Sequence, residues 1–126
     1  MIVAVDFDGT IVEHAYPIIG KERTNAIFYL KRLKFEFPEI QYILWTCREG
    51  KQLEDAVDWC KHKGVSFDAV NSNIVDFGST LAVSKIYADI YVDDRNLEGI
   101  PEWNDIYVRI KSMLERRREK FSLKHK

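Results

Sequence analysis

The chain has 126 residues and a formal net charge of -1, with 46% hydrophobic and 31% charged residues. This length suits one compact domain over residues 1–126, and the ordinary composition excludes a disordered chain and a general polyanion-binding protein. Because it has no bilayer-length apolar run, no basic leader and too few cysteines (Cys47 and Cys60) for a disulfide framework, we expect a cytoplasmic protein without membrane contact.

The first half of the chain is predicted to alternate strand and helix. Ile2–Val5 is a short apolar run typical of a buried strand. Over residues 24–37 apolar side chains recur at helical spacing until Pro38 ends the pattern. Residues 40–45 are again nearly all apolar and predict a second strand.

The second half continues the alternation. Residues 53–60 place apolar side chains at i, i+3, i+4 and i+7, and Gly64 follows as expected at a helix C-terminus. Residues 65–70 and Ile90–Val92 predict a third and a fourth strand, and residues 106–114 predict a last helix. We expect the basic tail from about residue 116 to 126 to fray.

This order of elements predicts the α/β class, with a three-layer, doubly wound, parallel Rossmann-like sheet. In open sheets of this kind, ligands bind outside the carboxyl ends of the strands. Polar residues that end different strands should therefore meet at one edge. They are Asp6, Asp8, Thr46, Asp93 and Asp94.

Carboxylates crowded at such an edge repel one another unless a proton or a cation neutralises them. Since the candidate ligands are all oxygens, we expect Mg²⁺ rather than zinc. Asp6 is placed to attack phosphorus and form an aspartyl phosphate, and Asp8 to protonate the leaving oxygen and then deprotonate water. Gly9 allows the chain to turn and leaves its backbone open to a phosphate.

A transferring phosphoryl group also needs positive charge and hydrogen-bond donors. Thr46 offers a hydroxyl, Lys85 is the nearest unassigned cation, and Cys47 and Arg48 follow Thr46 as further candidates. Taken singly, an Asp-Gly pair is a common turn, a Thr after a strand is usually a cap, and Lys85 is an ordinary surface lysine. The ordered set favours function over these simpler explanations.

The segments DFDGT, ILWT, a later lysine and YVDD resemble, in order, the four motifs of the haloacid dehalogenase superfamily of phosphohydrolases. The resemblance spans residues 6–94 and implies that Asp6 is the nucleophile and Asp8 the general acid and base. It further implies that Thr46 and Lys85 bind the phosphoryl group. An acid at position 8 suits a phosphohydrolase, because dehalogenase members lack one there.

The resemblance also implies a ligand set for Mg²⁺. The Asp6 carboxylate, the Asp8 backbone carbonyl and an acid of the fourth motif would hold the ion. We favour Asp94 as the direct ligand, because it falls where the aspartate of the more usual Gly-Asp lies, and Asp93 as a water-mediated one.

The chain resembles the capless members of the superfamily. Residues 10–23 and 71–84 are the two intervals where a cap domain would be inserted, and both are too short for one. Cover for the substrate would then come from the apolar flap at residues 16–19, from a second copy in a homo-oligomer, or from a large substrate. His14, Asn71 and Asn73 are candidates for substrate selection.

We therefore expect a Mg²⁺-dependent phosphatase that acts on a small phosphorylated metabolite. One alternative is a polynucleotide 3′-phosphatase that uses the basic C-terminal end, although Glu115 and Glu119 interrupt that end. Another is a receiver-like phosphoacceptor domain; receivers resemble one another in carrying the acceptor after the third strand, where this chain has Asn71. A non-catalytic binding domain on the same fold is the third.

Overall fold

The computed structural model describes residues 1–74 and 85–124, in which strands and helices alternate from the first strand to the third. The class is α/β, as predicted, and no helix within these two ranges is both long and apolar enough to cross a bilayer. The elements are β1 (Ile2–Val5), α1 (Ala26–Glu36), β2 (Gln41–Leu44), α2 (Gly50–His62), β3 (Ala69–Val70), β4 (Ile90–Val92) and α3 (Trp103–Lys124).

The four strands form one parallel sheet in the order β3-β2-β1-β4. The central strand β1 ends level with its neighbours, since Val5 pairs with Leu44 of β2 and with Val92 of β4. The residues that follow these three strands therefore emerge side by side at one edge. The backbone holds this edge together, because the Asp6 amide donates to the Val92 carbonyl at 2.9 Å.

The strands are apolar on both faces of the sheet, as expected for parallel strands. On one face Val3 and Val5 are fully buried in a core to which α1, α2 and α3 all contribute. On the other face Ile2 and Ala4 pack with Ile43 and Ile86. The connection from β3 to β4 includes residues 75–84, which lie outside the described residues, so the predicted helix layer on this second face stays a prediction.

The third strand is shorter than predicted. Gly64 at φ +93° ends α2, and the Val65 amide then donates to the Cys60 carbonyl at 2.9 Å. This hydrogen bond closes the helix C-terminus and leaves Val65 in the core rather than in the sheet. The Asp68 side chain accepts a hydrogen bond from the Tyr42 amide at 2.8 Å, and strand pairing begins at the next residue, Ala69.

The last helix is longer than predicted and reaches Lys124, so most of the tail that we expected to fray is helical. Two ion pairs tie its charged part to the domain. Arg117 donates to Asp89 at 2.9 Å, and Arg118 donates to Glu39 at 2.8 Å while its guanidinium lies 4.3 Å from the Phe37 ring centroid. Such partners are distant in sequence, so the apolar pattern that ends at Leu114 gives no sign of them.

A substitution in α1 tests the core. Leu33 is fully buried against the sheet, so Leu33→Ala should lower the free energy of unfolding by roughly 2–5 kcal/mol. Phe35 on the same helix is 86% exposed, and Phe35→Ala should change it by less than about 0.5 kcal/mol. Urea unfolding of both variants checks this difference, and equal losses would contradict the packing described here.

Candidate active site

A cleft of about 490 Å³ opens at the carboxyl edge of the sheet. It is lined by the strand-end residues whose convergence the sequence predicted, namely Asp6, Asp8, Thr46, Asp93 and Asp94. Three further sequence candidates, His14, Cys47 and Arg48, line it as well. The common edge of β1, β2 and β4 explains why these residues meet, since all of them except His14 lie shortly after a strand end.

Three of the acids form a tight cluster. Asp6, Asp93 and Asp94 each offer a carboxylate oxygen, and these oxygens lie within 4.8 Å of one another. Burial, the contact with Asp94 and the charge of Asp93 raise the pKa of Asp6 to about 7. Burial also acts to raise the pKa of Asp94, but hydrogen bonds with His14 and Asp6 outweigh it and the net direction is down. The cluster thus favours a state with fewer than three free negative charges.

The same acids fit a hard divalent cation. All of the donors are carboxylate oxygens, which suits Mg²⁺ or Ca²⁺ rather than a thiolate-binding metal. One oxygen, Asp94 Oδ1, is buried and has no hydrogen-bond partner among the described residues. An unpaired buried carboxylate oxygen is costly, and a bound cation would satisfy it. Asp6, Asp93 and Asp94 therefore form a group that could hold a metal ion.

Thr10 links the two ends of the cluster, and we assigned it no role from the sequence. Its fully buried hydroxyl donates to Asp6 Oδ2 at 3.0 Å and accepts the Asp94 amide at 3.1 Å. Its carbonyl accepts the indole N–H of Trp103 at 2.9 Å. Thr10 therefore fixes the orientation of Asp6 relative to β4 and to α3. The only sign of this role in the sequence was the position of Thr10 directly after the Asp-Phe-Asp-Gly run.

Gly9 and His14 both lie close to the cluster. His14 belongs to the flap, which comprises residues 13–21 with the apolar residues 16–19 at its tip, and Gly9 precedes it. Gly9 has φ +84°, and a Cβ at this position would overlap the Asp94 carboxylate and the His14 ring. Its amide donates to the Val12 carbonyl at 2.7 Å. His14 Nε2 lies 2.8 Å from Asp94 Oδ2. The absence of a side chain at Gly9 thus allows the backbone to lie close to the Asp94 carboxylate, which His14 also contacts.

Asp8 is held by Arg48 on the opposite wall of the cleft. Arg48 Nε donates to Asp8 Oδ2 at 2.7 Å, and Nη2 donates to Oδ1 at 2.8 Å, so the contact is bidentate. Only 1% of the Arg48 side chain and 15% of the Asp8 side chain are exposed. The sequence offered Arg48 as a phosphate ligand, and the structure instead gives its guanidinium a partner within the chain.

The remaining Arg48 donors hold the flap and α2. They donate to the carbonyls of Pro17, Ile18 and Gln52 at 3.2, 2.9 and 3.4 Å, so every guanidinium N–H has an acceptor. The Tyr16 ring lies over the same guanidinium, with its centroid 5.1 Å away. One buried side chain therefore connects the end of β1, the flap and the first turn of α2.

The other predicted residues have mixed placements. The Thr46 hydroxyl accepts the Arg48 amide at 3.1 Å, while the Thr46 amide donates to Asn71 Oδ1 at 2.8 Å. Asn73 Oδ1 accepts the Tyr87 amide at 2.6 Å, so both asparagines brace loops and do not line the cleft. Lys85 Nζ lies 5.4 Å from the Tyr91 ring centroid, and Lys85 is not among the described cleft residues.

Three cleft residues were not among the predicted catalytic or binding residues, although Tyr16 belongs to the flap that we expected to cover the substrate: Tyr16, Trp45 and Arg95. Tyr16 belongs to the flap tip, Trp45 follows β2, and Arg95 follows the acidic pair. Arg95 is exposed, and its guanidinium has no partner among the described residues. In the sequence, a place in the flap accounts for Tyr16, a strand end accounts for Trp45 and an exposed position accounts for Arg95, so none of them indicated a binding role.

The buried pair gives a stability prediction. Arg48→Met leaves the Asp8 carboxylate without its partner, and we expect a loss of roughly 3–5 kcal/mol in the free energy of unfolding. Arg32→Met removes an exposed i, i+4 pair with Glu36 and serves as the control, with a much smaller loss. Chemical denaturation measures both losses, and similar losses would show that burial of Arg48 adds nothing.

The raised pKa of Asp6 gives a pH prediction for the metal-free protein. A carboxyl group with a raised folded-state pKa destabilises the fold increasingly from about pH 4 up to about pH 7. Asp6→Asn should therefore unfold at higher urea than the unaltered chain at pH 8 in chelator, and this difference should vanish near pH 4. Asp58→Asn, at an exposed position on α2, should show no such dependence. An Asp6→Asn variant less stable than the unaltered chain at pH 8 would contradict the raised pKa of Asp6.

Comparisons with known proteins find a relative among solved structures. It is the structure of a conserved protein from Bacteroides thetaiotaomicron, 45% identical in sequence, and the match covers 90% of this chain and 91% of that chain with a TM-score of 0.81. No protein-family model matches the chain, and no curated protein matches it. At this identity and coverage, the chain belongs to the same family as the conserved Bacteroides thetaiotaomicron protein.

Proposed function

We propose that the chain is a Mg²⁺-dependent phosphomonoester hydrolase of the haloacid dehalogenase type, with Asp6 as the nucleophile. The observation that carries the proposal is the acidic cluster in the cleft, where Asp6, Asp93 and Asp94 lie within 4.8 Å and Asp94 Oδ1 has no described partner. Asp8 and Thr46 line the same cleft. This set supplies a nucleophile, an acid/base group, a hydroxyl donor and cation ligands in one place.

The chemistry has two steps. The Asp6 carboxylate attacks the phosphorus of the ester, and the bond from phosphorus to the leaving oxygen breaks as Asp8 gives that oxygen a proton. Water then attacks the phosphorus, Asp8 takes its proton, and the aspartyl bond breaks to release inorganic phosphate and free Asp6. Thr10 holds the Asp6 oxygen at 3.0 Å and so orients the nucleophile.

Arg48 constrains how Asp8 works. Both Asp8 oxygens accept from Arg48, and each keeps a lone pair that Arg48 does not use. Proton transfer to a leaving oxygen would use one of these lone pairs, while the two hydrogen bonds keep the carboxyl group on its side of the cleft. We assign Arg48 the role of positioning Asp8 and the flap, not that of binding phosphate, because its donors are all engaged.

The carboxylates of Asp6 and Asp94 would hold the cation, with Asp93 beside them. Asp93 Oδ1 already accepts the Arg95 amide at 2.9 Å, whereas Asp94 Oδ1 has no described partner, which supports Asp94 as the direct ligand. When bound, the ion would supply positive charge for the phosphoryl oxygens and offset the repulsion among the acids.

We propose a capless enzyme with a three-layer fold around the parallel sheet. The interval after the first motif is a short flap closed on itself, since the Glu13 amide donates to the Lys21 carbonyl at 2.7 Å and the Arg23 amide to the Ile11 carbonyl at 2.8 Å. The second interval, which includes residues 75–84, lies outside the described residues. The short flap supports a cleft open to small phosphorylated substrates.

The test is phosphate release from a panel of sugar phosphates, nucleotides and 3′-phosphorylated oligonucleotides, with Mg²⁺ or with chelator. We expect many turnovers with Mg²⁺, none with chelator, and a fall in kcat of at least about a thousandfold for Asp6→Asn. Asp58→Asn is the matched control and should keep full activity, because Asp58 is exposed on α2 and does not line the cleft.

Retention of activity by Asp6→Asn would remove Asp6 from the nucleophile's role. Uptake of one phosphoryl group per chain without turnover would replace the enzyme with a receiver-like phosphoacceptor domain. Comparison of the folded fraction of each variant by circular dichroism separates loss of chemistry from loss of structure.

A further inference from the structure

We propose that the cleft selects phosphomonoesters of nucleosides and that the base stacks on the exposed rings of Tyr16 and Trp45. This inference rests on the proposed phosphatase function and adds a substrate class to it. Both rings line the same cleft as Asp6, so a ligand that reaches the acids with its phosphate can reach the rings with its leaving group.

The exposure of Trp45 is unusual among the tryptophans of this chain. Trp103 is 1% exposed, and Trp59 packs edge to face on Phe7 with their ring centroids 5.8 Å apart. Trp45, by contrast, keeps 36% of its surface exposed, and Tyr16 keeps 59%. Large aromatic rings left open at the wall of a cleft are suited to stacking on a planar ligand.

Contacts within the chain hold the backbone of Trp45 and the ring of Tyr16. The Trp45 amide donates to the Val5 carbonyl at 2.9 Å, so this residue continues the backbone pairing of β2 with β1. Tyr16 lies on the Arg48 guanidinium, which also binds the carbonyls of Pro17 and Ile18. Because the contacts of Tyr16 exist before any ligand binds, less conformational entropy is lost when a base stacks on this ring than on a ring without such contacts.

The charge in the cleft agrees with a nucleotide. Arg48 is saturated by Asp8 and backbone carbonyls, whereas the exposed Arg95 guanidinium has no partner among residues 1–74 and 85–124. Arg95 can therefore contact phosphate oxygens while the base lies on the rings. The cleft volume of about 490 Å³ falls within the range of roughly 300–1,000 Å³ that is typical of small-molecule sites.

The test compares kcat/KM for adenosine 5′- and 3′-monophosphate with that for ribose 5-phosphate, which carries the sugar and the phosphate but no base. We expect Trp45→Leu and Tyr16→Leu to lower kcat/KM for at least one of the nucleotides roughly tenfold more than for ribose 5-phosphate. Phe28→Leu is the control, because Phe28 is 54% exposed on α1 outside the cleft. It should leave all three values unchanged.

A binding measurement separates this inference from the proposed chemistry. In the Asp6→Asn variant with Mg²⁺, adenosine monophosphate should quench tryptophan fluorescence, and the added substitution Trp45→Leu should abolish the quenching. Ribose 5-phosphate should produce little change. Quenching without turnover by the unaltered chain would support base binding and reject the phosphatase.

Turnover in which ribose 5-phosphate matches both nucleotides would overturn the inference and leave the phosphatase standing. Equal losses for the nucleotides and ribose 5-phosphate in Trp45→Leu would do the same, because the ring would then support the cleft rather than the base. Nucleotide binding that Trp45→Leu does not weaken would overturn the stacking role of this residue.

Discussion

The electrostatics of the cleft are set by the close approach of three carboxylates, those of Asp6, Asp93 and Asp94. Their oxygens lie within 4.8 Å of one another at the carboxyl edge of the sheet. Parallel pairing of β1 with β4 makes that approach unavoidable, because Asp6 and Asp93 directly follow paired strands. Burial of Asp6, its contact with Asp94 and the charge of Asp93 together raise the pKa of Asp6 to about 7, so its ionised form destabilises the metal-free fold. Thr10 and His14 lessen the repulsion through hydrogen bonds, yet Asp94 Oδ1 still lacks a described partner.

Arg48 organises the opposite side of the same cleft. A buried guanidinium is stabilising only when its donors are satisfied, and here they bind Asp8 and the carbonyls of the flap and α2. The flap is therefore tied to the residue proposed as the acid and base, and the Tyr16 ring is positioned by the same contact. The cation available for a substrate is then Arg95, not Arg48, among the described residues that line the cleft.

The sequence predicted what short-range patterns encode. The bounds of β1 and β4 agree with their apolar runs, and the convergence of Asp6, Thr46 and Asp94 follows from parallel strand order. Long-range pairing was not predictable. The Asp8–Arg48 pair joins residues 40 positions apart, and the pairs of Arg117 and Arg118 with distant acids extend α3 beyond its apolar pattern. Roles for Asn71, Asn73 and Lys85 in the cleft remain predictions, since the described contacts of these residues lie elsewhere.

The most direct test of the proposed role of Asp6 is to trap the covalent intermediate. The chain would be mixed with Mg²⁺ and a phosphomonoester that carries radiolabelled phosphate, quenched in acid within milliseconds, and digested for peptide mapping. We predict label on the peptide that contains Asp6, formed and lost at least as fast as the enzyme turns over. Steady phosphate release without any labelled protein, or label on a different residue, would contradict the proposal that Asp6 is the nucleophile.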